Sequence, residues 1–360
     1  MSHSDSNSAS GSGGSQGAEA PLGALIDRIS RGEDLTVEQA RAAFDQVMQG
    51  EATPVQMAAL LVGLRTKGVV PSEVAGGVRA LQTAMIPVEA SSSGALVDTC
   101  GTGGGEVTTF NISTAAALVA AGAGVRIAKH GNRSFTSRSG SADVLEALGV
   151  RIEMTPEEMS RVLHDVGIVF MFAPLLHPAM RHVGPVRKEL KISTIMNLLG
   201  PLTNPAGARR QVVGVSDPSL LDLIVRALAE LGHHRALVVY GEPGMDEVSP
   251  SGPTRIAELA DGEVRERTVT PEALGVDRVE PAELAGGSPE QNAEIIRRVL
   301  GGEDGGGAEA AVVLNAAAAL VVADVADSLK EGVEVARASI RSGAAMKKLE
   351  ALRSASRATE

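Results

Sequence analysis

Apolar positions recur at helical spacing through the first quarter of the chain. Leu22, Leu25, Ile26 and Ile29 make one such face; Ala43, Phe44, Val47 and Met48 make a second; Met57, Leu60, Leu61 and Leu64 make a third. Thr36 and Gln39 have the spacing of a capping box, Thr53-Pro54 reads as an N-cap followed by a first helical residue, and Pro71-Ser72-Glu73 opens a fourth helix. Nothing in residues 21–90 reads as a strand. The period changes at Ala95. Short apolar runs at 95–100, 125–128, 150–154, 168–172, 211–215 and 236–240 then alternate with helical stretches, among them 111–121, one capped at Thr155-Pro156 and one opened by Asp217-Pro218. Strands alternating with helices predict βαβ units and a mostly parallel sheet. Residues 174–205 are helical and Pro-rich, without a strand, and suit a crossing back to the first helical region. Beyond Tyr240 the pattern predicts a hairpin, 254–259 and 263–269, turning at Ala260-Asp261-Gly262. Gly286-Gly287 and the Gly-rich 301–307 bracket a helical stretch, and two closing helices are predicted over 308–323 and 325–352. No internal repeat is visible.

Composition narrows the classes. Among 360 residues, 44% are hydrophobic, enough for a sizeable core. Mean hydropathy is only +0.09. No apolar run approaches the ~20 residues a membrane helix needs, so no membrane role is expected. A net charge of −11 and 2% aromatics argue against phosphate-backbone binding and base stacking, so no nucleic-acid partner is expected. Cys100 is the single cysteine, which excludes an internal disulfide and favours a cytoplasmic setting. Residues 1–20, mostly Ser, Gly, Asn and Ala, read as a disordered tail without signal-peptide or transit-peptide character.

Against that acidic background, four clusters stand out. In Asp98-Thr99-Cys100-Gly101-Thr102-Gly103-Gly104-Gly105-Glu106, followed by Asn111-Ile112-Ser113-Thr114, a strand ends, glycines turn and a helix begins. Bare backbone N–H groups and a helix N-terminus favour an anion, although a plain turn has the same composition. The spacing matches neither a Walker loop nor a dinucleotide fingerprint. The second cluster, residues 129–143, holds Lys129, His130, Arg133, Arg138 and five hydroxyls, and suits an oxygen-rich anion. The third, Asp246-Glu247, follows a strand and a Gly-Pro turn; two carboxylates there suit Mg²⁺, though on spacing alone such pairs are more often a solvated face. The fourth combines His177-Pro178-Ala179-Met180-Arg181 with Arg187-Lys188 and Gly200-Pro201-Leu202-Thr203-Asn204-Pro205. An Arg beside a pocket can fork onto a carboxylate. Cys100 is explained as a small residue ending a buried strand, and His164, His233 and His234 as solvated or capping groups at helix ends.

Taken in order, these elements resemble the anthranilate phosphoribosyltransferase family. The matching segments are Asp-Thr-Cys-Gly-Thr-Gly-Gly (98–104), Asn-Ile-Ser-Thr (111–114), Lys-His-Gly-Asn-Arg-Ser (129–134), Ser-Gly-Ser-Ala-Asp-Val-Leu (139–145), His-Pro-Ala-Met (177–180), Gly-Pro-Leu-Thr-Asn-Pro (200–205) and Met-Asp-Glu (245–247). Each alone is weak; the ordered set, spanning about 22–352, is specific. The resemblance implies an α/β fold with a small all-helical domain at 21–90, completed by about 180–205. A larger α/β domain with a mostly parallel central sheet takes 91–179 and 206–352, leaving 353–360 as a tail. It implies a homodimer formed through the helical domain, and transfer of phosphoribose from phosphoribosyl pyrophosphate (PRPP) to the amine of anthranilate, the second step of tryptophan synthesis, with two Mg²⁺ per active site. By resemblance, PRPP falls to Gly101, Gly104, Gly105, Thr109, Asn111, Ile112, Ser113, Thr114, Lys129, His130, Gly131, Asn132, Arg133, Ser134, Phe135, Thr136, Ser137 and Ser141. Anthranilate falls to Gly101, Asn132 and Arg187, with His130 and His177 nearby, and the metal to Ser113, Asp246 and Glu247.

One departure stands against the pattern: the family's Gly-Thr-Gly-Gly-Asp reads Gly105 at its last position here, with Glu106 next, while Arg138 keeps the charge of a usual Lys. Pyrimidine nucleoside phosphorylases share the implied fold and similar Lys-His-Gly and Gly-Thr-Gly-Gly elements. Asn132-Arg133, Arg187 and the 200–205 segment favour anthranilate. A nucleic-acid-binding relative is disfavoured by the charge of −11.

Overall fold

The computed structural model describes residues 21–90, 94–105, 107–134 and 138–358. The expected tail at 1–20, Glu106, and three expected PRPP ligands, Phe135, Thr136 and Ser137, lie outside these residues. In chain order the elements are α1 (Leu22–Ser30), α2 (Val37–Met48), α3 (Pro54–Lys67), α4 (Pro71–Ala84), β1 (Leu96–Gly101), α5 (Ile112–Gly122), β2 (Arg126–Gly131), α6 (Ser141–Ala147), α7 (Pro156–Val166), β3 (Ile168–Phe172), α8 (Ala173–Leu176), α9 (Met180–Leu190) and α10 (Met196–Leu199). They continue with β4 (Arg210–Gly214), α11 (Leu220–Glu230), β5 (Arg235–Gly241), β6 (Thr254–Ala260), β7 (Glu263–Val269), α12 (Pro289–Leu300), α13 (Gly307–Val322), α14 (Leu329–Arg341) and α15 (Ala344–Arg357).

The N-terminal helices start where their caps place them. Thr36 and Thr53 each accept from the backbone three residues on, and Gln39 and Gln56 return the bond. Gly76, inside α4, has an unusual neighbour for a helix interior: a Cβ there would lie 2.6 Å from Ala40 Cβ and 2.8 Å from the Arg41 nitrogen. The ~0.5–1 kcal/mol that a mid-helix glycine costs is therefore exchanged for close α2–α4 contact. α9 lies against α2 and α3, and α10 against α4. Leu199 of α10 meets the Gly77 surface of α4.

The seven strands form one sheet in the order β3-β2-β1-β4-β5-β6-β7. The first five are parallel; β6 and β7 add as an antiparallel hairpin. One apolar cluster packs α5, α7 and α12–α15 against one face of the sheet. On the other face, α11 and the N-terminal helices share a second cluster that reaches Val213, Val238 and Ala257 of the strands. The chain leaves β1 toward β2 and β3, then returns to the opposite side of β1 as β4. That reversal opens a crevice beyond the carboxyl ends of β1 and β4, where ligands bind in open parallel sheets.

Four expectations need correction. Residues 150–154 form no strand, although Val150, Ile152 and Met154 are buried in alternation. The sheet position beside β2 is taken by β3, and the Arg151 amide donates instead to Ser356 Oγ at 3.0 Å. The closing stretch expected as one helix over 325–352 is two, α14 and α15, divided at Gly343, whose φ of 72° is a left-handed conformation. Nor do residues 353–357 form a tail. α15 runs through them because Ser356 is buried and Arg357 Nε donates to the Gly149 carbonyl at 2.8 Å. His233 also differs from its capping expectation: its ring is buried, and burial pushes its pKa down to about 4.

Candidate active site

The crevice is built first by close backbone approach. Gly101 of β1 pairs with Gly214 of β4, and the Thr102 amide donates to the Gly214 carbonyl at 2.9 Å. A Cβ on Gly214 would overlap the Asp246 carbonyl, and one on Gly101 would sit 2.6 Å from Asp246 Oδ2. Glycine at both positions is what lets the loop after β5 close over the strand ends. Gly103 and Gly104 have φ of 69° and 83°, the left-handed turn that glycine adopts without penalty. The turn aims the Gly103 amide at Asp246 Oδ2, 3.1 Å away.

Beneath this loop lies a charged cluster. Lys129 of β2 is buried and donates through Nζ to the Thr99 carbonyl at 2.6 Å and to Ser113 Oγ at 3.2 Å. Burial lowers its pKa, and Asp98 opposes that. Glu247 accepts from the Ser113 backbone; burial, then the neighbouring Asp246 charge, push its pKa up to about 8. Burial likewise raises Asp246. Two desolvated carboxylates side by side, with Lys129 as the cation beside Glu247, are a costly arrangement that a divalent ion would relieve. Asp246, Glu247 and the Ser113 hydroxyl are hard oxygen donors of the kind Mg²⁺ takes alongside substrate phosphates. The residues present therefore fit the metal, as a shared protein–substrate site. Among the described residues no group of three or more His, Cys, Asp or Glu side chains forms a self-sufficient metal cage.

Behind the strands, fully buried Asp98 accepts from the His130 amide at 3.2 Å and from Asn204 Nδ2 at 2.8 Å. Asn204 also donates to the Ala128 carbonyl at 2.9 Å. The Gly-Pro-Leu-Thr-Asn-Pro turn is thereby locked onto β1 and β2. The His130 and His177 rings meet at 3.1 Å between Nε2 atoms. Burial pushes His130 to about 3 and His177 to about 4, so both rings are neutral at physiological pH. Cys100 Sγ lies 3.3 Å from the Pro201 carbonyl, and burial followed by Asp98 raises its thiol far from a thiolate.

The expected PRPP residues divide into groups. Asn111 is a junction: its Nδ2 donates to the Ser139 carbonyl at 3.1 Å, and its Oδ1 accepts from Ser139 Oγ at 3.1 Å and Asn292 Nδ2 at 2.9 Å. Thr109 bridges to Ala285. Ile112 and Thr114 are buried at the start of α5. Asn132 Oδ1 accepts from the Arg133 amide at 2.7 Å, and its carbonyl accepts from Ser141 Oγ at 3.3 Å. Gly131 faces that same Ser141 hydroxyl. The Arg133 guanidinium is held by Asp143 at 2.9 Å and Glu146 at 2.5 Å, and the Ser134 amide also bonds Asp143. Arg187 stands apart on α9, half-buried; among the described residues its guanidinium has no ion pair or hydrogen bond. Burial lowers its pKa.

Comparison with known proteins fits this arrangement. A family model described as "Glycosyl transferase family, helical bundle domain" matches residues 24–85. Another, "Glycosyl transferase family, a/b domain", matches 93–346. An anthranilate phosphoribosyltransferase of Symbiobacterium thermophilum is 51% identical over 330 residues, covering 92% of this chain and 96% of that protein. The chain belongs to the anthranilate phosphoribosyltransferase family. The crystal structure of the Thermus thermophilus member superposes with a TM-score of 0.88 at 45% identity, covering 92% of this chain and 99% of that one. The Saccharomyces cerevisiae member, solved in complex with PRPP and Mg, superposes at 0.85 and 27% identity, covering 95% and 99%.

For this family member, the departure at Gly105 has a geometric meaning. A Cβ there would lie 3.0 Å from the Gly244 carbonyl and 3.5 Å from Asp246 Oδ1. An acidic side chain at 105 would thus stand beside the Asp246 carboxylate; here that third carboxylate is missing. Four polar groups act from behind the crevice: Asp98 and Asn204, which stand in the sequence clusters without a role assigned to them, and Asn292 and Asn315, which reasoning from sequence passed over. Asp98 carried a signal, a lone charge inside an apolar strand. The asparagines carried almost none, since their partners lie about 70 to 180 residues away in sequence.

Proposed function

We propose that this chain transfers the phosphoribosyl group of PRPP to the amine of anthranilate, giving N-(5-phosphoribosyl)anthranilate and pyrophosphate, and so serves tryptophan biosynthesis. The reading rests on one observation above the others. The glycine loop, Lys129, Ser113 and the Asp246-Glu247 pair converge at the switch point of the sheet in a member of this family.

The chemistry asks for stabilisation of a departing anion and for correct placement of a neutral nucleophile. Cleaving the C1–O bond to pyrophosphate places positive charge on ribose and negative charge on the leaving group. With the Gly103 amide held by Asp246, the amides of Gly104, Gly105 and the N-terminus of α5 would serve that leaving group, and Lys129 and Ser113 supply a cation and a hydroxyl donor. Asp246, Glu247 and Ser113 would hold Mg²⁺, which when bound would neutralise phosphate charge. Asn111, Thr109, Gly131 and Ser141 hold the surrounding loops. Arg133 contributes by tying the loop after β2 to α6.

The Arg187 guanidinium, uncommitted within the described residues, forks onto the anthranilate carboxylate, with Gly101 and Asn132 beside the ring. An aromatic amine is neutral at pH 7 and needs orientation more than a strong base. The neutral His130–His177 pair suits that: it presents a rigid polar wall and no acid to protonate the nucleophile.

Mg²⁺ dependence, two ions per site, a homodimer through the helical domain, and a cytoplasmic location complete the proposal. The helical domain comprises 21–90 and about 180–205, and the α/β domain the remainder. The test is loss of anthranilate fluorescence on adding PRPP, with and without Mg²⁺, beside a phosphorolysis assay with thymidine. Mg²⁺-dependent loss without thymidine cleavage is expected. Thymidine cleavage without anthranilate consumption overturns the reading.

A further inference from the structure

Asp246 and Glu247 are two residues suspended between two fixed points. On one side Met245 is tied to the end of β5: the Gly241 amide donates to the Met245 carbonyl at 2.9 Å and the Met245 amide to the Gly241 carbonyl at 2.7 Å. On the other side lies Val248, whose amide donates to Asn315 Oδ1 at 2.8 Å and whose carbonyl accepts from Asn315 Nδ2 at 3.0 Å. One side-chain amide thus engages both backbone groups of the residue that follows the acidic pair.

Asn315 is out of keeping with its position on helical grounds. It sits in the middle of α13, in the run Ala-Val-Val-Leu-Asn-Ala-Ala-Ala-Ala-Leu-Val-Val, where every other residue is apolar and buried. Asparagine is a poorer helix former than alanine, and a buried amide is costly unless paired. Here it is paired three times, the third bond running from Nδ2 to the Ala311 carbonyl at 2.9 Å. Asn315 also lines one small void together with Ser113, Asp246 and Glu247. An apolar residue would fill the helix better; the amide is needed only by the loop.

We propose that Asn315 is the positioning residue for the Asp246-Glu247 carboxylates, fixing their backbone from behind without touching substrate. The inference rests on the metal reading of that pair. With Asn315 removed, the loop keeps Met245 on β5 and Ser249 on Thr254 and Glu242, but loses the anchor at Val248 beside Glu247, so the carboxylates lose the geometry a small, rigidly coordinated ion demands.

The test is Mn²⁺ binding to the full-length protein with PRPP and no anthranilate, read by the electron paramagnetic resonance of free Mn²⁺. Asn315→Ala, which removes both bonds to Val248, is expected to weaken Mn²⁺ about ten-fold. Asn315→Ser, which can keep one, should fall between and serves where the alanine variant does not fold. The KM for anthranilate should stay within two-fold in either variant. Asp246→Asn/Glu247→Gln is the control. If the control loses Mn²⁺ while a folded Asn315 variant binds it like the parent and shows only a lower melting temperature, Asn315 is structural and the inference fails alone. If the control itself keeps Mn²⁺, the metal reading fails and takes the inference with it.

Discussion

Two loops at the carboxyl ends of adjacent strands face the same crevice and solve opposite problems. The loop after β1 carries little charge; its left-handed glycines turn the Gly103 amide toward Asp246 after β5. The loop after β2 looks in sequence like the natural anion site, with cations and hydroxyls throughout. Yet its Arg133 is spent on Asp143 and Glu146 of α6, and the Asn132 side chain turns back onto the Arg133 amide. The cation whose charge acts on Glu247, Lys129, belongs to the strand, not the loop, and lies buried with its Nζ on Thr99 and Ser113. Charge written in a sequence is therefore not charge available at a site; what counts is which partners the fold has already assigned.

The largest effect expected breaks the acidic half. Asp246→Asn/Glu247→Gln should cut turnover by about 10²-fold or more, the scale of losing a preorganised electrostatic contact in a transition state. Its melting temperature should hold or rise, because neutral amides replace two carboxyl groups whose charged forms burial disfavours; steady-state rates and melting curves check both. Next comes the substrate side. Arg187→Ala should raise the anthranilate KM roughly 10- to 150-fold, since a charged hydrogen bond contributes about 1.5–3 kcal/mol, and leave the PRPP KM nearly constant. Equal shifts in both constants would remove Arg187 from the anthranilate pocket.

A smaller effect concerns pH. His130 and His177 titrate near 3 and 4 when folded against an ordinary 6.5. The unfolded chain thus binds more protons as pH drops below about 6.5, and folding stability is lost in that direction. Each ring removes up to ~1.4 kcal/mol per pH unit between its unfolded and folded values. Urea midpoints at pH 7, 6 and 5 should fall accordingly, and His177→Gln should flatten the slope. The smallest expected change sharpens the glycine loop. Gly105→Asp adds a carboxylate beside Asp246 Oδ1 and should alter activity only at high Mg²⁺, by a few-fold, in a Mg²⁺ titration.

Much of this is legible in the sequence. Helix starts at Val37 and Pro54 follow from the Thr36–Gln39 capping-box spacing and the Thr53-Pro54 N-cap, and the hairpin β6–β7 from its alternation and Ala-Asp-Gly turn. These signals are local, and local physics decides them. The misreadings come where tertiary neighbours decide. Residues 150–154 alternate like a strand but pack without a ladder, because β3 occupies the place beside β2. The helix at 353–357 is held by bonds to Gly149 and Arg151, about two hundred residues away in sequence. At the site, Gly101, Ser113, Lys129, Asp246 and Glu247 stand out as residue types, and their convergence is a property of the sheet order. The commitment of Arg133 to α6, and the support from Asn292 and Asn315, have no pattern to betray them.

The comparison between the two loops can be decided by PRPP affinity alone. Isothermal titration of PRPP with Mg²⁺ into Lys129→Met and Arg133→Ala, without anthranilate, compares the strand cation beside Glu247 with one held by α6. Binding at least ten-fold weaker for Lys129→Met, and within three-fold of the parent for Arg133→Ala, is the predicted result. The reverse order, with Arg133→Ala the more damaging, would contradict the account.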